Sequence, residues 1–209
     1  MSNIRLFALA ALTACFLLGV LRAKAADPTD ELIRALEPLR HLQGRFEQRQ
    51  YSDSGDLAQQ SSGNFRLLRP GYFAWEITAP DSQLVIADPD YVWHHDRDLE
   101  TVTRRPVAGN PHTSPLQVLG GNESVLREQF SVAQPEPGVF TLSDPSGESG
   151  FRDLTLHLSG GSITGMEIIN TLNQRVEIEF LSVDSQTELS PADFAFEPPP
   201  GADLFYYDQ

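Results

Sequence analysis

The sequence predicts a mainly β domain, a strongly curved antiparallel sheet or barrel with helices capping its open end. Three observations carry this. From Gly63 to Arg104, short runs with a two-residue apolar period follow one another almost end to end. Turn chemistry separates them, as in Asp53-Ser54-Gly55, Pro70-Gly71 and Asp88-Pro89-Asp90. Residues 105–128 interrupt the pattern with helical signals, after which strands resume.

Residues 1–25 stand apart from the rest. Arg5 is a positive start, Leu6 to Leu21 an apolar run and Ala23-Lys24-Ala25 an A-x-A cleavage site, so the segment reads as a secretory signal peptide with the mature chain beginning at Ala26. An apolar run of about 16 residues is short for a membrane span, which needs roughly 20. Leu12-Thr13-Ala14-Cys15 also matches a box that would leave Cys15 acylated. The apolar continuation Phe16-Leu17-Leu18-Gly19-Val20-Leu21 favours soluble export instead.

In the mature chain Thr29 is placed to cap a first helix, with Asp30 and Glu31 in its first turn and Leu32, Leu36 and Leu39 on one face. Pro38 kinks or ends it. Strands are expected at 44–51, 61–69, 71–78, 83–88, 90–95 and 98–104. Phe73, Trp75 and Ile77 share one face of the third, opposite Ala74, Glu76 and Thr78. Ser114 with Pro115 starts a helix carrying Leu116, Val118 and Leu119, and Gly120-Gly121 stops it. Residues 123–129 offer a second short helix. Strands resume at 130–134, 138–143, 151–158, 161–170 and 174–183, with Leu154, Leu156 and Leu158 on one face, as are Val176, Ile178 and Phe180. With no linker or repeat in view, 26–209 reads as a single domain.

Charge and cysteine usage narrow the function. The 209 residues carry 15 basic and 29 acidic side chains. Loss of 1–25 removes Arg5, Arg22, Lys24 and no acid, leaving 12 basic side chains against 29 acidic and a net charge of −17. Such a chain does not attract nucleic acid or an anionic membrane surface. Cys15 is the only cysteine, so the mature chain can form neither a disulfide nor a thiolate metal site. No nucleophile elbow, zinc helix, P-loop or dinucleotide fingerprint is present, and no cofactor is implied. His94-His95-Asp96 is the one tempting metal cluster, but adjacent strand residues point to opposite faces. The apolar residues are more telling. Phe65, Leu67, Phe73, Trp75, Ile77, Val85, Trp93, Leu116, Val118 and Leu119 each read singly as core, and together as the lining of a ligand cavity under an apolar lid.

These features, in order, resemble the LolA family of periplasmic lipoprotein carriers: Leu36 to Leu42 into Phe46-Glu47-Gln48, Gly63-Asn64-Phe65, Arg69-Pro70, Phe73, Trp75, Pro80 and Gln83. The match continues through Tyr91-Val92-Trp93 with Leu99, Ser114-Pro115-Leu116 and Phe194-Ala195-Phe196-Glu197-Pro198-Pro199-Pro200-Gly201. The resemblance implies an incomplete β-barrel of about eleven strands closed by a helical lid, and a monomer without enzymatic activity. It implies a periplasmic carrier that accepts outer-membrane lipoproteins from an inner-membrane ABC transporter of LolCDE type and hands them to a LolB-like outer-membrane receptor. From position alone Arg69 is a surface arginine paired with one of many carboxylates, and the resemblance makes it a latch on lid carbonyls. A LolB-like anchored receptor of the same fold would require an acylated Cys15, and an exported hydrolase would require convergent polar groups inside the cavity.

Overall fold

The computed structural model describes residues 26–107, 118–120, 123–147 and 149–207. The leader, Leu116 and the Ser114-Pro115 helix start lie outside them. In chain order the elements are α1 (Pro28–Leu36), β1 (His41–Tyr51), β2 (Leu57–Leu68), β3 (Tyr72–Ala79), β4 (Gln83–Ala87), β5 (Tyr91–Asp96) and β6 (Thr101–Pro106). There follow α2 (Glu123–Gln129), β7 (Ser131–Glu136), β8 (Val139–Ser143), β9 (Phe151–Ser159), β10 (Ser162–Asn170), β11 (Arg175–Asp184), a 3-10 turn (Pro191–Phe194) and β12 (Asp203–Tyr206).

The strands make one sheet in the order β12-β6-β5-β4-β3-β2-β1-β11-β10-β9-β8-β7. Since β12 and β7 remain its two edges, the barrel does not close. Eleven strands match the sequence reading, with β1 and β2 beginning a few residues earlier than expected. The twelfth was not expected. No strand is expected after Gly201 from the sequence, but β6 offers a free edge, and β12 pairs with it in parallel through Asp203 N–H to Glu100 O at 2.9 Å and Tyr207 N–H to Arg104 O at 3.0 Å.

The first helix starts earlier than Thr29 would place it. Asp27 is the cap, its carboxylate accepting the Thr29 N–H at 2.8 Å, because Pro28 suits the first helical position where no N–H is needed. The helix ends at Leu36, ahead of Pro38, and buries Leu32 and Leu36.

Curvature comes from two glycines and two irregularities. A Cβ on Gly44 would run into the Ser182 carbonyl oxygen, and one on Gly63 into that of Glu76. The β1/β11 register shifts at Arg45/Phe46 and the β2/β3 register at Ser62/Gly63, beside those same glycines. Bulges sharpen local twist, and glycine lets neighbouring backbone approach closely enough for the sheet to coil.

The coiled sheet has two covered faces. The inner one joins Leu32, Leu36, Val118, Leu119 and Leu126 of the helical roof to Phe46, Phe65, Phe73, Trp75, Leu154, Leu156, Ile178 and Phe180 of the strands. The outer face is smaller: Leu189 and Phe194, from the chain after β11, lie over Ala74 and Ile86. A hydrogen bond from the Leu189 N–H to His41 Nδ1, 3.0 Å, ties that segment to β1.

Candidate functional site

Strand alternation and register gather most of the predicted apolar residues on the inner face. Phe65 stands opposite Trp75, Leu67 opposite Phe73, and Trp75 opposite Val85. Ile77 and Val85 pack at the edge of the same cluster, and Val118 and Leu119 meet it from the roof. Trp93 does not join them. It pairs with Ile86, which pairs with Ala74, so it occupies the outer face, 5.4 Å from the Phe196 ring. The reason is parity: on β5 it is Val92 that packs against the inner cluster.

Phe46 and Phe180 belong to this site and were not picked out as lining residues. Phe46 stacks on Trp75 with ring centroids 3.6 Å apart, and Phe180 meets Phe65 edge-on at 4.9 Å. The signal was present, since Phe46 shares its parity on β1 with Leu42, and Phe180 shares its own with Ile178. Only pairing with other strands shows that these faces are one.

Among the described residues the rings of the inner face pack against one another. Between Leu42, Phe65, Leu67, Phe73, Trp75, Leu119, Ile163 and Phe180 there remains a cavity of about 20 Å³, little more than the roughly 10–15 Å³ that one water requires. The rings fill the space themselves.

Arg69 sits where sheet rim and roof meet, beside a cleft of about 170 Å³ lined by Ile33, Glu37, Arg40, Pro70, Glu123 and Leu126 as well. Its Nη1 donates to the Leu36 carbonyl at 2.8 Å, its backbone N–H to Arg40 O at 2.9 Å, and Gly71 N–H to Gly120 O at 3.1 Å. The expected several bonds to lid carbonyls are, among the described residues, one side-chain bond to the last turn of α1. That turn is where a helix carries unsatisfied carbonyls and the negative end of its dipole. Arg69 Nε is buried without a partner. Burial pulls the guanidinium below its ordinary pKa while Glu123 pushes it back up, and it stays charged. Arg127 clips α2 to α1 through Asp30 at 2.7 Å, an exposed pair that solvent screens.

Among the described residues no cluster of three His, Cys, Asp or Glu side chains is arranged to hold a metal, and no helix is long and apolar enough to cross a membrane. His94 is exposed, and His95 packs 5.9 Å from Phe196 on the outer face.

Known proteins resemble this chain in sequence and in fold. An outer-membrane lipoprotein carrier protein of Dechloromonas aromatica is 36% identical over 194 residues, 91% of this chain and 92% of its own. One from Alkalilimnicola ehrlichii is 32% identical over 195 residues, 92% of this chain and 91% of its own. In fold, a DUF1329 family protein from Desulfovibrio piger superposes with a TM-score of 0.52 at 11% identity, over 80% of this chain and 95% of its own. The pattern of the family described as outer membrane lipoprotein carrier protein LolA runs from Glu37 beside the Arg69 cleft, through every strand of the inner face, to Glu197 behind the outer cover, matching residues 37–197; this chain belongs to that family.

Proposed function

We propose that the mature chain is a monomeric periplasmic carrier that holds the acyl chains of outer-membrane lipoproteins between the curved sheet and its helical roof. It takes them from an inner-membrane ABC transporter and gives them to an outer-membrane receptor. The observation that carries this reading is an apolar, aromatic-lined inner face, closed by a roof that Arg69 clasps through one helix-end carbonyl. The names of the relatives support it.

Burying hydrocarbon yields about 0.8 kcal/mol per methylene, so bare acyl chains in water are strongly disfavoured and need cover. Release without an energy source requires the empty carrier to be stable in its own right. Phe46, Trp75, Phe65 and Phe180 meet that need, because they close on one another when no chain separates them. Cargo affinity is then the difference between two well-covered states.

Native mass spectrometry of the protein purified from periplasm tests the reading, with the N-terminus determined on the same sample. The expected result is a chain beginning at or near Ala26, carrying no lipid of its own and co-purifying with lipoprotein. An acylated Cys15 would make the chain an anchored receptor. Absence of lipoprotein, with no binding of a fluorescent acyl probe, would end the carrier reading.

A further inference from the structure

The outer face carries a concavity that the carrier reading does not use. A groove of about 690 Å³ crosses β11, β1, β2 and β3, with Arg45, Arg66 and Arg97 in its walls and Asn64, Glu76 and Asp184 between them. Pairing puts these side chains together: Arg45 opposes Asn64, which opposes Glu76, while Arg66 opposes Ala74 of the outer cluster.

The groove's acids are engaged, and two of its three cations have no carboxylate within ion-pair distance among the described residues. Glu76 holds Arg97 at 2.8 Å. Asp184 accepts from Gln43 Nε2 at 3.2 Å, Thr187 Oγ1 at 2.6 Å and Gln186 N–H at 2.8 Å. Arg45 and Arg66 are exposed and make no ion pair with the described residues; the Arg66 guanidinium lies 5.9 Å from the Phe194 ring and, from beyond ion-pair distance, adds to the Ser190 N–H and Oγ bonds in lowering the Asp193 pKa. Carboxylates outnumber cations heavily in this chain, so a groove wall with Arg45 clear of any carboxylate among the described residues and Arg66 facing only Asp193, beyond ion-pair distance, marks a local positive site. The overall negative charge does not cancel it, because screening over about 8–10 Å at physiological salt leaves near charges dominant.

We propose that this groove docks an acidic, extended segment of a partner protein, whose carboxylates pair with Arg45 and Arg66. Concavity favours a chain segment over a planar lipid surface, and the net charge of the mature chain opposes approach to anionic lipid. The site does not depend on the carrier reading, since it lies on the face opposite the roof and the Arg69 clasp.

The test uses the mature protein and a fluorescent peptide alternating glutamate with serine, read by anisotropy, beside the same peptide with glutamine. The expected result is binding of the glutamate peptide alone, weakening as salt is raised. Arg45→Glu combined with Arg66→Glu should weaken it at least about tenfold, or ~1.4 kcal/mol. Arg152→Glu, on β9 and outside the groove, should not. Acyl-probe affinity, unchanged in the double variant, shows that it is folded and separates this outcome from failure of the carrier reading. Equal binding of both peptides, no binding of either, or indifference to the double substitution overturns the proposal. So does sedimentation with phosphatidylglycerol vesicles that the double variant abolishes, which would make the site a lipid contact.

Discussion

Among the described residues Arg69 holds the roof through one bond, Nη1 to Leu36 O, while Nε is buried without a partner. A hydrogen bond to a charged group contributes about 1.5–3 kcal/mol, and a buried unsatisfied donor costs about 1–3 kcal/mol, so the two nearly offset. On these bonds the clasp is weak, which suits the proposed release of cargo without an energy source. A ligand that binds only the open state has its affinity reduced by the open fraction. Arg69→Leu should raise that fraction, bind an acyl probe up to about tenfold more tightly and transfer cargo poorly to the receptor. Arg69→Lys should fall between, since ammonium keeps the charge and loses the planar fork. Probe affinity and transfer yield on the same variants check this; normal transfer at unchanged affinity would return Arg69 to an ordinary rim charge. Phe73 is a different case. As a cavity-lining residue Phe73 could be replaced by Ser with binding lost before folding, but at 3% exposure it is packed, and truncation should cost about 3–5 kcal/mol. Urea unfolding measures it, and a loss under about 1 kcal/mol would mean a looser interior.

At the scale of elements, curvature rests on Gly44 and Gly63. Gly63→Val should force β2 away from the Glu76 carbonyl, costing about 1–3 kcal/mol as overpacking does, and should weaken acyl-probe binding because the inner face flattens. Thermal unfolding and probe titration report both effects, and an unchanged melting temperature would show that the strands separate freely. The outer cover has a pH-sensitive anchor. Asp193 accepts from the Ser190 N–H at 2.7 Å and from its Oγ at 2.8 Å, capping the turn that presents Phe194. Those bonds lower its pKa from the ordinary 3.8. A depressed carboxylate contributes its stability above the ordinary value and loses it as pH falls through the folded one. Asp193→Asn should therefore be less stable than the parent at neutral pH, with the gap closing below about pH 3.8. A gap independent of pH would mean that the anchor does not depend on charge.

The whole molecule is a sheet with two covered faces, and each holds one of its two tryptophans. Trp75 lies on the inner face beneath the roof, and Trp93 on the outer face near Phe196, with the Arg104 guanidinium 5.4 Å from its ring. Among the described residues Phe46 and Trp75 stack at 3.6 Å, so on the proposed carrier reading an acyl chain reaching the inner face parts the two rings. Trp93→Phe, which leaves Trp75 as reporter, should show a clear emission change when an acyl probe binds. Trp75→Phe, which leaves Trp93, should show little. The reverse pattern would move the binding site to the outer face.

The sequence by itself determined the eleven long strands, the roof helix at 123–129, the family and the face-sharing of Phe73, Trp75 and Ile77, because a two-residue period and turn residues are local properties of the chain. It also pointed to Arg69, though only through resemblance. Tertiary structure decided the rest. Whether Trp93 faces inward depends on how β5 pairs with β4, and whether Phe46 and Phe180 join the site depends on β11 crossing back to β1. The short β12 exists because a distant strand leaves an edge free, and Arg69 finds Leu36 because helix and rim, 33 positions apart in the chain, are brought together by the coil of the sheet. Parity is written along one strand, whereas the identity of its neighbour is settled only by long-range pairing.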